Sequence, residues 1–455
     1  MEEEIYSHVE NKSERKQDIM SRKNTFAVTP PMGWNSWDCY GAAVTEDEVR
    51  GNAEYLAKHM KQYGWEYVVV DIQWYEPKAT TSLYNKFTPL EMDEYSRLIP
   101  AVNRFPSAAN GAGFKPLADY VHSLGLKFGI HIMRGVPRQA AHAGTPIKGC
   151  DATARDIAHP FSLSSWNTDM YGVDPTAYGA QQYYNSLMDL YAEWGVDFIK
   201  VDDICVTFFS PNNLYSAKAE IELIRHAIDQ CGRDIVLSLS PGPAMVEEVE
   251  HLKENANMWR VTNDYWDRWE DLVAMFERCE VWADYVGPDG WPDCDMLPLG
   301  RIAIKSVDQG NGDRMTRFTH DEQITMMTLW CIFRSPLMFG GELRDNDEWT
   351  LKLVTNEEVL HMYHHSHGAH PLTRNGSEGL KYIWVSYGDD GSVYVALFNH
   401  ENLSRKMEAT FPRLKLEGEY EIRDLWEHSD LGIVDFSIVA EVPAHGAKLY
   451  RLRKK

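Results

Sequence analysis

The feature that most constrains the fold is an alternation of short apolar runs with amphipathic stretches, from about residue 27 to residue 345. Eight runs have the length and the unbroken apolar character of buried parallel strands, at residues 31–37, 67–71, 127–133, 197–204, 234–240, 258–264, 290–297 and 336–341. Strands that alternate with helices pair in parallel through right-handed crossovers, and eight such units close into a barrel. The sequence therefore predicts an α/β fold, a (β/α)8 TIM barrel.

Helix-boundary signals lie between these runs. Residues 45–48, Thr-Glu-Asp-Glu, form a capping-box pattern ahead of a helical apolar face. A second helix is predicted to begin at Ser216 and to stop before Gly232, and the last covers about residues 322–333. These helices are expected to surround the barrel.

After about residue 370, short strands separated by turns replace the alternation. The strand candidates there are residues 380–386, 392–398, 420–426 and 447–452. Strands without intervening helices predict an antiparallel β-sandwich, which would cover an apolar flank of the barrel. We therefore predict a charged N-terminal extension at residues 1–25, a catalytic barrel at 26–365 and a C-terminal β-sandwich at 371–455.

Charge and composition narrow the classes of function. A net charge of −23 repels nucleic acid and anionic membranes, so neither is expected as a partner. A small neutral oligosaccharide or glycoside is compatible with this charge. The 15 Trp and 23 Tyr also suit a carbohydrate site, because aromatic rings pack on the apolar faces of sugars.

The cellular location is predicted from the first 25 residues and from the cysteines. The N-terminal segment is highly charged and lacks the apolar core of a signal peptide, and no apolar run of about 18 residues offers a membrane span. The seven cysteines are scattered and show no metal-binding spacing, which is typical of buried thiols in a reducing compartment. These features predict a cytoplasmic protein whose N-terminal extension is either flexible or in contact with another copy in a homo-oligomer.

Polar residues close six of the apolar runs, and the carboxyl ends of barrel strands meet at one mouth. These residues are Asp71, His131, Asp202, Ser240, Asp264 and Asp295. A single carboxylate at a strand end is more often an ion-pair partner, but convergence of several favours catalysis. Retaining glycoside hydrolysis needs two acids, which Asp202 and Asp264 would supply. Lys200 lies two residues before Asp202, hence on the same side of the strand, where its charge would keep the carboxylate ionised.

Five ordered motifs resemble those of the α-galactosidase-type retaining glycoside hydrolases, family 27. The motifs are MGWNSW (32–37), VDIQW (70–74), KVD (200–202), WRVTND (259–264) and GPDGWPDCDML (287–297). The resemblance extends from about residue 27 to the C-terminus. It implies a (β/α)8 barrel followed by a β-sandwich, with no metal and no cofactor.

The resemblance also implies roles for individual residues. Asp202 would be the nucleophile and Asp264 the general acid/base, which must carry a proton when the cycle begins. The implied substrate contacts are an aromatic wall at Trp37, hydrogen bonds from ring hydroxyls to Asp71, and polar contacts from Lys200 and Arg260. His131, Ser240 and Asp295 complete the substrate-binding residues that we predict at the strand ends.

One departure from the family pattern concerns the substrate. The family commonly has two successive aspartates after the second strand, and the second binds the 6-hydroxyl of galactose, whereas this chain has Ile72. β-L-Arabinopyranose shares the ring stereochemistry of α-D-galactopyranose but lacks carbon 6. Galactose should therefore lose about 1–3 kcal/mol of binding. The sequence resembles the β-L-arabinopyranosidase subgroup, although drift at a peripheral contact is the alternative explanation.

Other interpretations remain open. Residues 239–243, Leu-Ser-Pro-Gly-Pro, replace a glutamate that galactosidases commonly place against the 2-hydroxyl. Ser240 could bind that hydroxyl, or its small neighbours could leave room for an N-acetyl group, so α-N-acetylgalactosaminidase activity is an alternative. α-Galactosidase activity is another alternative. Cys205 is shifted by one position from the family's cysteine, so a disulfide of secreted relatives is not expected. A non-catalytic sugar-binding barrel is a more remote alternative, because such a protein would be expected to lack one of the two acids.

A metal site is the last alternative considered. The histidines at 361, 364, 365, 367 and 370 could place two imidazoles on one helix face. They precede the predicted sandwich and lie far from the predicted mouth, where a catalytic metal would have to be. A solvated linker is therefore the favoured interpretation, and no metal or cofactor is predicted.

Overall fold

The computed structural model describes residues 23–307, 312–373 and 382–455. Eight parallel strands form one curled sheet in the order β7-β6-β5-β4-β3-β2-β1-β8. Their bounds are β1 Met32–Asn35, β2 Tyr67–Val70, β3 Lys127–Met133, β4 Phe198–Asp202, β5 Val236–Leu239, β6 Met258–Arg260, β7 Trp291–Asp293 and β8 Leu337–Phe339. Every strand lies within one of the eight predicted runs.

The sheet closes through a single residue beyond β7. The backbone N–H of Leu297 donates to the carbonyl of Met338 at 2.8 Å, and the N–H of Gly340 donates to the carbonyl of Leu297 at 2.9 Å. Leu297 and Phe339 thereby form a parallel bridge between the two outermost strands. The predicted (β/α)8 barrel is confirmed.

A helix follows each strand, and a ninth helix leads out of the barrel. The bounds are α1 Glu46–His59, α2 Lys115–Ser123, α3 Ala180–Trp194, α4 Lys218–Gln230, α5 Val249–Asn255, α6 Trp269–Trp282, α7 His320–Phe333, α8 Glu348–Val354 and α9 Glu357–His365. The predicted capping box is present at α1, where Thr45 and Glu48 exchange hydrogen bonds. Gly232 lies just beyond α4 with φ +78°, a conformation that favours glycine at a helix end.

Alternation along the strands divides the apolar residues between two cores. In β2, Val68 and Val70 face the helices and belong to the large core between sheet and helices. Tyr67 and Val69 point into the barrel, where they pack with an inward residue of β4, Phe198. The lower part of the barrel is therefore filled with apolar side chains, and any ligand must bind at its upper end.

The C-terminal region is an antiparallel β-sandwich, as predicted. One face is a six-stranded sheet in the order β9-β10-β11-β16-β13-β14, and the other is the pair β12-β15. The bounds are β9 Ser366–Pro371, β10 Ile383–Gly388, β11 Val393–Phe398, β12 Arg405–Thr410, β13 Tyr420–Asp424, β14 Ser429–Val434, β15 Ser437–Val442 and β16 Ala447–Lys454. A separate core of buried residues from both faces, including Val395 and Ile438, joins the two layers.

The sandwich packs on one flank of the barrel, in agreement with the role predicted for it. Phe276 of α6 meets Phe398 edge-to-face with ring centroids 4.8 Å apart, and Phe333 of α7 meets Trp384 in the same way. Helix α7 is consequently covered on both sides, and all of its residues except His320, Asp321 and Ile324 are buried. This apolar contact unites the two regions into one molecule.

The histidine-rich segment is not the linker that the sequence analysis favoured. His361, His364 and His365 lie in α9, and His367 and His370 lie in β9. The rings of His361 and His365 are 4.7 Å apart, as helical spacing requires. Within the described ranges, no three His, Cys, Asp or Glu side chains are arranged to hold a metal ion.

Other sequence predictions meet the structure only in part. Residues 1–22 of the predicted extension lie outside the described residues. Lys23 at its end is buried and donates hydrogen bonds to the carbonyls of Ala256 (2.7 Å) and Asp289 (2.9 Å). All seven cysteines are free thiols, five of them buried. Across the described parts of the chain, no helix is long and apolar enough to cross a membrane. The three region boundaries stay predictions.

Candidate active site

Strand alternation selects which side chains reach the upper end of the barrel. In β4, Phe198 is one of the apolar side chains that fill the lower part of the barrel, here called the apolar plug. Lys200 and Asp202, two and four residues later, therefore point inward above it. The same alternation applies to two other strands. In β6, Met258 points into the barrel and Arg260 lies above it, and Tyr67 of β2 is related in the same way to Asp71. The polar groups at the mouth are therefore set by the same period that fills the barrel with apolar residues.

A cavity of about 570 Å³ opens at these strand ends. Its size is within the range of small-ligand sites, roughly 300–1,000 Å³. Eight of the ten predicted site residues line it: Trp37, Asp71, Ile72, Lys200, Asp202, Arg260, Asp264 and Asp295. Both predicted acids are thus in one cavity.

Asp202 has the environment of an ionised carboxylate. One carboxylate oxygen accepts a hydrogen bond from His131 Nε2 at 3.0 Å, and the other accepts the backbone N–H of Asp203 at 2.8 Å. Burial alone would raise the pKa of Asp202, but the His131 contact and the charges of Lys200 and Arg260 lower it well below its ordinary value. A carboxylate that stays ionised is suited to act as a nucleophile.

Lys200 joins the second and fourth strands electrostatically. Its ammonium donates to Asp71 Oδ2 at 2.9 Å, and the same oxygen accepts from Asn35 Nδ2 at 2.7 Å. Burial would lower the pKa of Lys200, but the carboxylates of Asp71 and Asp202 raise it, so the lysine is a permanent cation. This network fixes Asp71 and Lys200 at the cavity floor without using all of their hydrogen-bonding capacity.

Asp264 occupies a different environment from Asp202. Its side chain is 67% exposed, whereas that of Asp202 is 14% exposed. The buried Arg260 donates to Asp264 Oδ1 at 2.7 Å and lies 3.3 Å from Asp295 Oδ1. The cavity therefore has one shielded carboxylate at its floor and one accessible carboxyl nearer to its opening.

His131 and Ser240 were predicted to bind substrate, but neither lines the cavity. Both are fully buried. His131 lies behind Asp202 and contacts its carboxylate, while Ser240 Oγ is 3.5 Å from the guanidinium of Arg260. Each of the two residues therefore contacts a residue that lines the cavity, Asp202 in one case and Arg260 in the other.

The structure adds lining residues that the sequence analysis missed. Tyr84 stacks on Trp37 with ring centroids 6.1 Å apart, and Trp166 lies beyond it at 5.6 Å. Both come from loops, where no strand period or motif identifies them. Their aromatic content was the only available signal, and it could not select them from 15 Trp and 23 Tyr.

Two further carboxyl groups were also missed. Asp38 lines the cavity and is buried, and burial followed by the charge of Asp295 raises its pKa well above the ordinary value. Asp293 points inward two residues before Asp295, and burial followed by that neighbour raises its pKa to about 7. Raised pKa values are expected where several carboxyl groups share one buried region, because each charge disfavours ionisation of its neighbours.

Replacement of His131 by alanine should move the acidic limb of the kcat/KM profile to higher pH. Attack by Asp202 as a nucleophile would require an ionised carboxylate, and the pKa of Asp202 is held low partly by the His131 contact. Without that contact the pKa rises, so activity is lost at a higher pH as the pH falls. The profile between pH 3 and 8 tests this, with the exposed His142→Ala as the control. An unchanged acidic limb would contradict the role given to His131.

Comparison with known proteins places this geometry in context. The family model described as alpha galactosidase A matches residues 29–178 and 175–364, and the model for the alpha galactosidase C-terminal beta sandwich domain matches residues 378–452. The chain is similar to alpha-galactosidase 2 of Arabidopsis thaliana, with 27% identity over 442 residues, covering 96% of this chain and 93% of that protein.

Two solved structures are more similar in sequence. One is a family-27 β-L-arabinopyranosidase of Geobacillus stearothermophilus in complex with arabinose, with 59% identity and a TM-score of 0.92, covering 95% of this chain and 99% of that one. The other is a Bacillus halodurans protein provisionally described as an alpha-N-acetylgalactosaminidase, with 53% identity and a TM-score of 0.84, covering 94% and 98%. These similarities extend over both the barrel and the sandwich.

Proposed function

This chain belongs to the alpha-galactosidase family of glycoside hydrolases, family 27, and on that premise we propose that it is a retaining exo-glycosidase specific for terminal β-L-arabinopyranose. It would release α-D-galactose more slowly. The family membership makes it a glycosidase, whereas the sugar preference and the residue roles are the proposal.

The proposed reaction is a double displacement. The carboxylate of Asp202 attacks the anomeric carbon while Asp264 donates its proton to the glycosidic oxygen, so the aglycone leaves and a glycosyl ester forms on Asp202. Asp264, now ionised, removes a proton from water, and the resulting oxygen nucleophile breaks the ester. Two inversions give a product of retained configuration, and Asp264 regains its proton.

The observation that carries the sugar preference is the position of Ile72 on the cavity wall. Its side chain is buried beside Asp71, and its backbone N–H donates to Asp71 Oδ1 at 2.9 Å. A branched apolar side chain at this point cannot accept a hydrogen bond from a 6-hydroxyl and occupies space that a hydroxymethyl group needs. A pentopyranose has no such group and loses nothing. The β-L-arabinopyranosidase activity of the Geobacillus stearothermophilus neighbour supports this assignment.

Replacement of Ile72 by aspartate should narrow the preference for the pentose by roughly 10- to 100-fold, since it restores an acceptor for the 6-hydroxyl. The measurement is kcat/KM for 4-nitrophenyl β-L-arabinopyranoside and for 4-nitrophenyl α-D-galactopyranoside. The ratio is the relevant quantity, because general damage from an added carboxylate cancels in it.

Ile72→Val is the matched control for this experiment, because it adds space without adding an acceptor. It should change the ratio much less than Ile72→Asp does. If the unaltered protein hydrolyses the galactoside faster than the arabinoside, then another residue accommodates the hydroxymethyl group and the proposed preference is wrong.

α-N-Acetylgalactosaminidase activity is the second candidate, and the segment around Ser240 favours it. Ser240 is withdrawn behind the wall and Pro241 lines the cavity in its place, and no glutamate is among the described residues that line the cavity. The provisional description of the Bacillus halodurans neighbour points in the same direction. Turnover of a 4-nitrophenyl α-N-acetylgalactosaminide in preference to the pentoside would establish this alternative.

Other predictions remain part of the proposal. A cytoplasmic location would make imported oligosaccharides or glycosides the physiological substrates. Homo-oligomerisation is left open by the sequence. Fractionation of cells and sedimentation of the purified protein would test these two predictions.

A further inference from the structure

The opening of the active-site cavity carries three exposed apolar side chains, Leu83, Phe208 and Val307, here called the apolar rim. They are 73%, 55% and 37% exposed, and all three line the cavity. Single exposed apolar residues are ordinary on a protein surface, but a cluster around one opening marks a binding surface. The three residues come from separate loops, after β2, β4 and β7, so sequence proximity does not explain the cluster.

Backbone hydrogen bonds hold two of these loops together. The N–H of Val307 donates to Ser82 Oγ at 2.8 Å, and the N–H of Leu83 donates to Thr81 Oγ1 at 2.9 Å. Thr81 in turn accepts the N–H of Ala42 through its carbonyl at 3.1 Å. The loops of Leu83 and Val307 are therefore fixed to the barrel mouth before any ligand arrives, which reduces the entropy lost on binding.

The arrangement of the two acids shows which part of a substrate the rim would face. Asp202 and Lys200 lie at the floor and are 14% and 11% exposed, so the sugar ring must enter deeply to reach them. Asp264 is 67% exposed and must reach the oxygen that joins sugar and aglycone. The aglycone therefore extends from the floor past Asp264 toward the opening, where the rim is located.

We propose that the apolar rim is a subsite for an apolar aglycone, so that glycosides of aliphatic or aryl alcohols are preferred to oligosaccharides. Leucine, phenylalanine and valine offer no hydrogen bonds to the hydroxyls of a second sugar, whereas they gain from covering methylene or aromatic groups. Tyr84 and Trp166 on the adjoining wall extend the same apolar surface inward. This inference rests on the proposed function and names the substrate class of the same site.

A series of n-alkyl β-L-arabinopyranosides, from methyl to octyl, tests the rim. The basicity of the leaving alcohol changes little beyond ethyl, so the intrinsic reactivity of the glycosides is nearly constant along the series. The dependence of kcat/KM on chain length therefore measures the contact between the protein and the aglycone. We expect kcat/KM to rise by roughly two- to fourfold per methylene over the first several carbons. The double variant Leu83→Ser/Phe208→Ser should lose most of this slope.

Phe161→Ser is the matched control. Phe161 is 84% exposed and does not line the cavity, so its replacement should keep both the activity on the methyl glycoside and the slope. A slope that survives in the double variant, or falls equally in the control, would overturn the rim as the binding surface.

The outcomes separate this inference from the proposed function. Turnover of the methyl glycoside with no dependence on chain length overturns the rim and leaves the sugar preference intact. If no arabinopyranoside is hydrolysed, the proposed sugar preference is wrong. The alkyl series of α-D-galactopyranosides then tests the apolar rim independently of that preference. If sedimentation shows a multimer that the double variant dissociates, while the chain-length series is flat, the rim contacts a second copy and the proposal is wrong.

Discussion

Asp202→Ala should lower kcat/KM for 4-nitrophenyl β-L-arabinopyranoside by about 10⁴-fold or more, because the variant has no group that can form the glycosyl ester. The large size of this effect follows from the site as the structure describes it. The backbone N–H of Asp203, His131 Nε2 and the charge of Lys200 all support a carboxylate at this one position. None of them can replace it as a nucleophile toward the anomeric carbon.

External azide provides a sharper test of the same role. In Asp202→Ala, the space left by the carboxylate lies next to the cationic Lys200 and Arg260, which should attract a small anion. Azide would attack the anomeric carbon from the vacated side and give a glycosyl azide of inverted configuration. Rescue of activity with this product supports Asp202 as nucleophile. Turnover near that of the unaltered protein, without azide, would exclude it.

Folding must be checked before the loss of activity is interpreted. Removal of Asp202 leaves His131 Nε2 without its partner in a buried position, which costs about 1–3 kcal/mol. Asp202→Asn keeps an acceptor oxygen and is the matched control for stability. Both variants should unfold cooperatively in a thermal scan and should still be inactive toward the arabinopyranoside.

Asp264→Ala should lower kcat/KM by roughly 10²- to 10⁴-fold for substrates whose leaving group needs a proton, such as alkyl arabinopyranosides. A 2,4-dinitrophenyl group leaves without protonation, so formation of the glycosyl ester should be much less impaired. Hydrolysis of the ester still needs a base, and the ester should therefore accumulate. Mass spectrometry of the denatured protein would detect one added pentosyl unit.

The controls for Asp264→Ala exploit its exposed position. Because Asp264 is 67% exposed, its removal should change stability little, and loss of its contact with Arg260 leaves the guanidinium close to Asp295. Glu270→Ala removes another exposed carboxyl, in the first turn of α6, and should leave kcat/KM within a few-fold. Equal losses for the alkyl and the dinitrophenyl substrates would contradict the acid/base role.

Strand positions in the barrel were predictable because side-chain alternation is a local property. The run at 198–202 contains Phe198, Lys200 and Asp202 in phase, and this parity already implies an apolar plug below and a polar group above. In the sandwich, by contrast, β9, β12, β14 and β15 were missed. The strand Ser429–Val434, for example, lies at a sheet edge and is largely exposed, so it has no buried face of the kind that a sequence pattern identifies.

For residues that contact another site residue instead of lining the cavity, the sequence predicted membership of the site but not the position within it. His131 ends an apolar run and was assigned to the sugar, but the fold places it behind Asp202, on the adjacent strand β4. The loop residue Tyr84 had only its aromatic character as a signal, and Val307 had none, because loops have no period. The bond between Ser82 and Val307 joins segments more than 200 residues apart.

The sequence by itself determined the barrel, the sandwich and the chemical identity of the groups at the strand ends, including Asp202, Asp264 and Ile72. These follow from short periods and motifs, which depend only on neighbouring residues. The tertiary structure alone decided which polar groups face the cavity and which stand behind them. It also decided that burial favours protonation of Asp202, that the contact with His131 and the nearby cations outweigh this effect, and that three distant loops form one rim. Distances across a closed sheet and exclusion from water arise only when the whole chain is folded, because they are properties of segments that are remote in sequence.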